Sequence, residues 1–512
     1  MIEENKSSMK NSVRRIIIAG IGVLIQIIWV VVLVMRLNQY SQIITLLTVA
    51  IELVLVLAVY SMDTNAAFKL PWIILITVAP IVGICVFFLF GRSGATKKVR
   101  ARYRKIDQQL FAYLNQDEQI IEELSKKDER LANDFKYLWK CASSPVYKNT
   151  DVKYYGDTCD AMAAQLEDMM QAKKFIFLEY HAIEMAESFQ ALRKVLMAKA
   201  REGVEIRILY DDAGCIGFLN PRFIKYMESM GIQCRVFNPI MPVLNIFMNN
   251  RDHRKITVID GKVAYTGGYT LADEYFNITH PYGQWKDSGI RFEGDAVQTA
   301  TILFLEMWNA LREQDVDIEK YLPVYPYKAK EQGFFALYGD SPLDKEPAGE
   351  NVYMNLLRHA KKYIYFTTPY LILSDEMTRE LTGAAKRGVD VRIITPGIPD
   401  KKTIFQVTKS YYPQLLKHGV KIYEYTPGFM HEKQCICDGE IVVVGTINLD
   451  FRSLYLHFEN AALFCGYEAV SHVKEDFDAL FPICKDMSKE PSERTRRLRL
   501  SQLILRLFSP LM

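Results

Sequence analysis

No Cys-x2-Cys pair occurs among the nine cysteines of this 512-residue chain, which removes a zinc ribbon and a thioredoxin-like redox pair from consideration. Cys435 and Cys437 stand two apart on an expected strand and share a face, where small core residues are the ordinary outcome. An odd cysteine count without a framework fits a reducing compartment. A dominant sign of charge is also missing: the formal net charge is +3, too small for a protein that coats nucleic acid. No His, Asp and Glu group carries metal-ligand spacing, so neither metal nor cofactor is expected. Disorder is excluded in turn, because 50% of the residues are apolar and 24% charged. The length suits two or three domains.

Three apolar runs occupy the first hundred residues: Ile16 to Met35, Ile43 to Tyr60 and Trp72 to Phe90. Each is long enough, or nearly so, for a transmembrane helix, so an integral, multi-pass membrane protein is expected. Glu52 in the second run needs a partner helix or water, or that run does not span. Pro80 is expected to kink the third. The basic cluster Arg92, Lys97, Lys98, Arg100, Arg102, Arg104 and Lys105 follows, which places the rest of the chain on the cytoplasmic side. Three spans would then put the N-terminus outside. The last residues interleave arginines with Leu498, Leu500, Leu503, Ile504, Leu507 and Phe508, and are expected to form a helix lying in an anionic lipid interface.

From about residue 150 short apolar runs alternate with amphipathic helical stretches, the order of an α/β fold with parallel strands joined by helices. The phrases then return. KKFIFLEY (173–180) recurs as KKYIYFTTPY (361–370), and AREGVEIRIL (200–209) as AKRGVDVRII (385–394). His253-x-Lys255-x4-Asp260 recurs as His431-x-Lys433-x4-Asp438, an offset of 431 − 253 = 178. The strand phrases recur at offsets nearer 188, so the first copy holds about ten extra residues before its motif, including the apolar loop PIMPVLNIFM (239–248). Two such halves are expected to pack about a pseudo-twofold axis with both motifs at their interface, where ligand sites often lie.

The chemistry suits a phosphodiester. On a strand, His and Lys two apart share a face. A neutral imidazole attacks phosphorus and a second, protonated one serves the leaving alcohol, both forms being accessible near neutral pH. Lysines and a neighbouring amide or hydroxyl neutralise the phosphate oxygens.

The two motifs, with GGYTLADEY (267–275) and GTINLDFRS (445–453), resemble the phospholipase D superfamily. The phrases WIILITVAPIVGICVFFLFG (72–91), YDDAG (210–214), WKDSGIRFEG (285–294), KSYYPQLLKHGVKIYEYTPGFMHEK (409–433) and LFSPLM (507–512) are closer still to its bacterial cardiolipin synthase branch. The resemblance implies two α/β/α halves behind N-terminal transmembrane helices in a bacterial cell membrane. It implies transfer of a phosphatidyl group between two phosphatidylglycerols through a phosphohistidine, giving cardiolipin and glycerol. Catalytic roles are implied for both histidines, both lysines, Asp260 and Asp438. Asn448 would help hold the phosphate, Glu459 would orient His431, and Asp287 would orient His253. Thr270 stands where the first half of the family carries Asn, so the halves are unequal. Superfamily habit gives the nucleophile to His253, although the residues themselves leave the order open. The divisions expected are a membrane region 1–105, a helical linker 106–150, halves 151–330 and 331–490, and a basic tail 491–512. Phosphatidylglycerol and anionic lipids are the implied partners, with no nucleic acid and with self-association left open. The rival readings are a hydrolase or headgroup exchanger, a nuclease, and a membrane scaffold with a decayed site.

Overall fold

The computed structural model describes residues 42–88, 97–219, 222–240, 249–312, 315, 317–490 and 500–511, with scattered positions between 21 and 36. Most of the first apolar run, the loop 241–248, and Arg494, Arg496, Arg497 and Arg499 of the tail lie outside the described residues.

The repeated phrases fold into two sheets of matching order. In the first half the strands are β1 (Thr150–Tyr155), β2 (Phe175–Tyr180), β3 (Glu205–Asp211), β4 (Gln233–Phe237), β5 (Arg251–Asp252), β6 (Lys255–Ile259), β7 (Val263–Gly267), β8 (Gln284–Lys286) and β9 (Gly289–Gly294). The second half supplies β10 (Phe334–Asp340), β11 (Tyr363–Thr367), β12 (Asp390–Pro396), β13 (Lys421–Tyr425), β14 (Gly428–Met430), β15 (Gln434–Cys437), β16 (Ile441–Gly445), β17 (His457–Cys465) and β18 (Cys484–Asp486). One sheet runs β1-β9-β7-β6-β2-β3-β4 and the other β10-β17-β16-β15-β11-β12-β13-β18. Strands β2 to β4 and β11 to β13 are parallel, as expected of helix-linked strands. The motif strands depart from that expectation: β6-β7-β9 and β15-β16-β17 are antiparallel, and turns of three residues join β6 to β7 and β15 to β16.

Helices Val297–Leu311 and Glu468–Leu480 follow β9 and β17 and lie between the two sheets. The first is apolar on nearly all sides, as a helix enclosed by protein must be. Phe177 stacks on Phe304 at 4.5 Å and Phe335 on Phe464 at 6.2 Å, inside one core that both halves share. Separate cores fill the outer side of each sheet.

Two short reciprocal pairings join the halves. β5 runs parallel to the start of β17, pairing Arg251 with His457 and Asp252 with Phe458. β14 runs parallel to β8, pairing Gly428 with Gln284 and Met430 with Lys286. Each half therefore lends a strand to the other's motif.

The N-terminal expectations need correction. Among the described residues no helix is long and apolar enough to cross a membrane. The second run forms the helix Gln42–Tyr60. The third is divided at Ala79 into Ala66–Val78 and Pro80–Val86, since proline removes an N–H and crowds the preceding turn. A 13-residue helix reaches only about 20 Å. The chain then reverses closely enough that a Cβ on Gly83 would lie 2.5 Å from the Cα of Ile76. The basic cluster also has a structural task. Helix Lys97–Leu110 runs through the expected boundary at 105, and Arg102 donates to the carbonyls of Asn309 (3.2 Å) and Arg312 (2.5 Å) at the C-terminal end of the central helix.

The tail helix Leu500–Phe508 packs on helix Lys402–Lys417. It is turned inside out: Gln502 is buried and the Arg506 guanidinium sits 4.1 Å over the Tyr411 ring, while Leu500, Leu503, Ile504 and Phe508 are exposed.

Gly428→Ala tests the interlocking strands. A Cβ there would lie 2.2 Å from the Gln284 carbonyl oxygen, so the substitution is expected to destabilise the chain by about 2 kcal/mol or more. Denaturant unfolding of the purified protein measures it, and a variant as stable as the parent would remove β14–β8 as a constraint.

Candidate active site

Both motif histidines stand where a strand of one half meets a strand of the other. The His253 N–H donates to the Phe458 carbonyl (2.9 Å) and the His431 N–H to the Lys286 carbonyl (2.8 Å). The next residue on each partner strand is a buried carboxylate. His253 Nδ1 lies 2.8 Å from Glu459 Oε2, and His431 Nδ1 lies 2.5 Å from Asp287 Oδ2. This corrects the expected pairing, which kept Asp287 with His253 and Glu459 with His431. Strand exchange across the interface crosses the partners. A carboxylate accepts, so each Nδ1 carries the ring proton and Nε2 is left with its lone pair.

Burial sets the charge states. Desolvation depresses His253 well below the usual imidazole range, with the Lys255 charge adding to it. Desolvation likewise takes His431 down to about 3, against the pull of Asp287. Both imidazoles are thereby held in their neutral form. The lysines point the same way. Burial brings Lys255 down to about 8 and Lys433 to about 7, partly offset by Glu459 and Asp287. Each Nζ donates to the carbonyl of its own motif histidine, Lys255 at 2.7 Å, and Lys433 does the same to His431.

His253 and His431 open onto one cavity of ≈ 440 Å³, which Asn448, His181, His457 and Arg452 also line. Asn448 Oδ1 is buried there without a hydrogen-bond partner, an acceptor open to a donor such as a substrate hydroxyl, while a phosphate oxygen would meet the amide's N–H side.

Three sequence expectations fail at this level. Asp260 and Asp438 are not in the cavity. They sit at the far ends of β6 and β15 in left-handed turns, with φ of 54° and 53°. The Asp260 carboxylate accepts from the N–H groups of Lys173, Lys174 and Phe175 (2.8, 2.7 and 2.9 Å). Asp438 accepts from Lys361, Lys362 and Tyr363, each at 2.8 Å. The five-residue strand β6 places Asp260 about 17 Å along the chain from Lys255. Thr270 is the third: its hydroxyl accepts from the Ala182 N–H (3.0 Å) and donates to the Ala182 carbonyl (2.5 Å), so it does not stand beside Asn448.

Other groups went unassigned from sequence. The rings of Trp285, Phe429 and Tyr275 surround His431, while His181 and His457 flank His253. One signal was available: WKD and HFE place Trp285 and His457 two residues before the two carboxylates, at an offset of 459 − 287 = 172. His181 has no counterpart in the repeat and no such signal. Among the described residues, ligand atoms of His253, His457 and Glu459 lie within 4.8 Å of one another, a cluster that the His253–Glu459 hydrogen bond already occupies. It combines both halves, which is why motif spacing could not reveal it.

A family model described as "Cardiolipin synthase, PLD-like domain" matches residues 166–308 and 353–481, more than half of the chain. A cardiolipin synthase of Halalkalibacterium halodurans is 32% identical over 86% of this chain and 87% of its own length. An uncharacterized protein of Streptococcus mutans is 39% identical over 90% of this chain and 99% of its own. The fold is similar to that of phosphatidylserine synthase from Haemophilus influenzae, with a TM-score of 0.53 at 14% identity, over 70% of this chain and 93% of that one.

The corrected roles separate two kinds of carboxylate. Asp260→Ala is expected to cost about 2–4 kcal/mol in denaturant unfolding, since three N–H groups lose their acceptor, while the folded fraction keeps turnover within about tenfold. Glu459→Gln and Asp287→Asn are expected to fold normally and lose about 10³-fold or more in turnover, because the amide no longer fixes the ring proton on Nδ1. Steady-state rates alongside unfolding curves decide the matter, and the reverse ordering of the two classes would overturn it.

Proposed function

The chain belongs to the family of cardiolipin synthases with phospholipase D-like domains, and on that premise we propose that it joins two phosphatidylglycerols into cardiolipin with release of glycerol. The observation that carries the mechanism is the pair of neutral imidazoles, each oriented by a carboxylate of the opposite half, facing one cavity.

One imidazole attacks phosphorus through Nε2, a P–N bond forms and the P–O bond to glycerol breaks. The other, protonated as the anionic substrate enters, gives its Nε2 proton to the departing oxygen. It then removes the hydroxyl proton of the second phosphatidylglycerol, whose oxygen attacks phosphorus and displaces the histidine. Protons balance over the two steps. Lys255 and Lys433, whose cationic forms the phosphodiester favours, and Asn448 hold the non-bridging oxygens. Asp287 and Glu459 stabilise whichever ring is imidazolium.

The outer surface supports a lipid substrate. The inverted tail helix and the exposed Leu46, Leu47, Val54, Leu57, Leu70 and Val78 of the N-terminal helices present apolar side chains outward. Ser509, just beyond the tail helix, lines the catalytic cavity. Phe68, on the helix Ala66–Val78, packs on Phe451, which lines it too. Attachment of this face to the cell membrane, with the N-terminal segment as anchor and the catalytic halves on the cytoplasmic side, belongs to the same proposal.

Purified enzyme given phosphatidylglycerol alone is expected to yield cardiolipin and glycerol in equal amounts. Phosphatidic acid as the sole lipid product would replace the synthase with a hydrolase. His253→Ala and His431→Ala should each lower turnover by about 10⁴-fold or more, and substantial activity in either would refute a shared site.

A further inference from the structure

The two halves treat the position after the Gly-Gly and Gly-Thr turns differently. Asn448 reaches the cavity, but its counterpart Thr270 is turned into the backbone of Ala182, which it holds by both the N–H and the carbonyl. The residue this clamp presents is His181. It lines the cavity, with its ring edge-on to His253 at 4.9 Å between centroids. Its Nδ1 lies 2.7 Å from the backbone carbonyl of Asp252. A carbonyl only accepts, so Nδ1 carries a proton in every charge state of this ring. Nε2 makes no hydrogen bond among the described residues. Gly214 leaves the room the ring needs: a Cβ there would lie 2.1 Å from the His181 carbonyl oxygen and 2.9 Å from its Cδ2.

We propose that His181 is the phosphate-binding donor of the first half, taking the place that Thr270 leaves empty opposite Asn448. As the phosphodiester enters, Nε2 takes a proton from solvent and donates it as a hydrogen bond to a non-bridging oxygen, while Nδ1 continues to donate to Asp252. Without the anion, burial and the Lys255 charge hold the ring neutral, with Asp211 pulling the other way. A negative oxygen beside Nε2 reverses that balance. Thr270 is then a positioning residue, and its hydroxyl acts through Ala182 rather than on substrate.

The inference deepens the cardiolipin-forming reading and rests on it for the identity of the phosphodiester, so its test uses an inorganic anion. Tungstate is a tetrahedral dianion that does not titrate near neutral pH. Calorimetry of the full chain in detergent, in buffers of different ionisation enthalpy, reads both its affinity and the protons taken up on binding. His181→Phe and His181→Ala are each expected to weaken tungstate at least tenfold. His181→Gln, which keeps a neutral donor, is expected to stay within about threefold of the parent while taking up close to one proton fewer. A purely structural role would not move the proton count. A His181→Phe or His181→Ala protein that binds tungstate within twofold of the parent overturns the proposal, and so does a His181→Gln protein with unchanged proton uptake. If the parent makes no cardiolipin, the functional reading fails and the tungstate result still judges His181.

Discussion

The site depends on one reciprocal exchange of backbone. β5 leans on β17 and β14 on β8, and each pairing fixes a motif histidine through its N–H while delivering the carboxylate that orients its ring. Neither half contains a complete histidine–carboxylate pair. The short strand pairings tie assembly of the halves to assembly of the chemistry, and the shared core of Phe177, Phe304, Phe335 and Phe464 holds them in register. A displacement of the halves that left each sheet intact would still separate both histidines from their carboxylates.

Burial does the electrostatic preparation. The same desolvation that keeps both imidazoles neutral lowers the two lysines, Lys255 to about 8 and Lys433 to about 7, so their cationic forms are held less firmly than on a surface. An arriving phosphodiester supplies the negative charge that makes the cationic forms favourable, which couples protonation to substrate rather than to bulk pH. The residues following the histidines show how such burial is tolerated. Arg254 pairs with Glu306 at 2.8 Å within the first half, and Glu432 of the second half pairs with Lys286 of the first at 2.7 Å. The charges are reversed between equivalent positions, yet each is neutralised locally.

The repeat is therefore symmetric in its frame and unequal in its lining. His431 stands among Trp285, Phe429 and Tyr275, and His253 among His181 and His457. The sheet orders match strand for strand apart from β18 and the exchanged strands, so the inequality lies in side chains that the frame does not need. A polar wall on one side and an aromatic wall on the other suit a substrate that is a charged headgroup at one end and hydrocarbon at the other.

Local pattern was enough for much of this. The offset of 178 residues exposed the duplication, the two-residue spacing put His and Lys on one strand face, and the resemblance to the cardiolipin synthase branch named Asp287 and Glu459 as the carboxylates. It could not say which carboxylate serves which histidine, because Glu459 and His253 are 206 residues apart and meet only through inter-half strand pairing. It gave Asp260 and Asp438 catalytic roles, although each stands in a left-handed turn at the far end of its strand, away from the histidines. It expected Pro80 to kink the third apolar run, whereas the run divides at Ala79 into two separate helices. Thr270 and His181 lie 89 residues apart, and only the fold brings the hydroxyl of one under the loop of the other. Periodicity and repetition are properties of the chain and survive in its order of residues. Orientation, burial and the crossing of partners arise from packing two halves together, and those the tertiary structure alone decided.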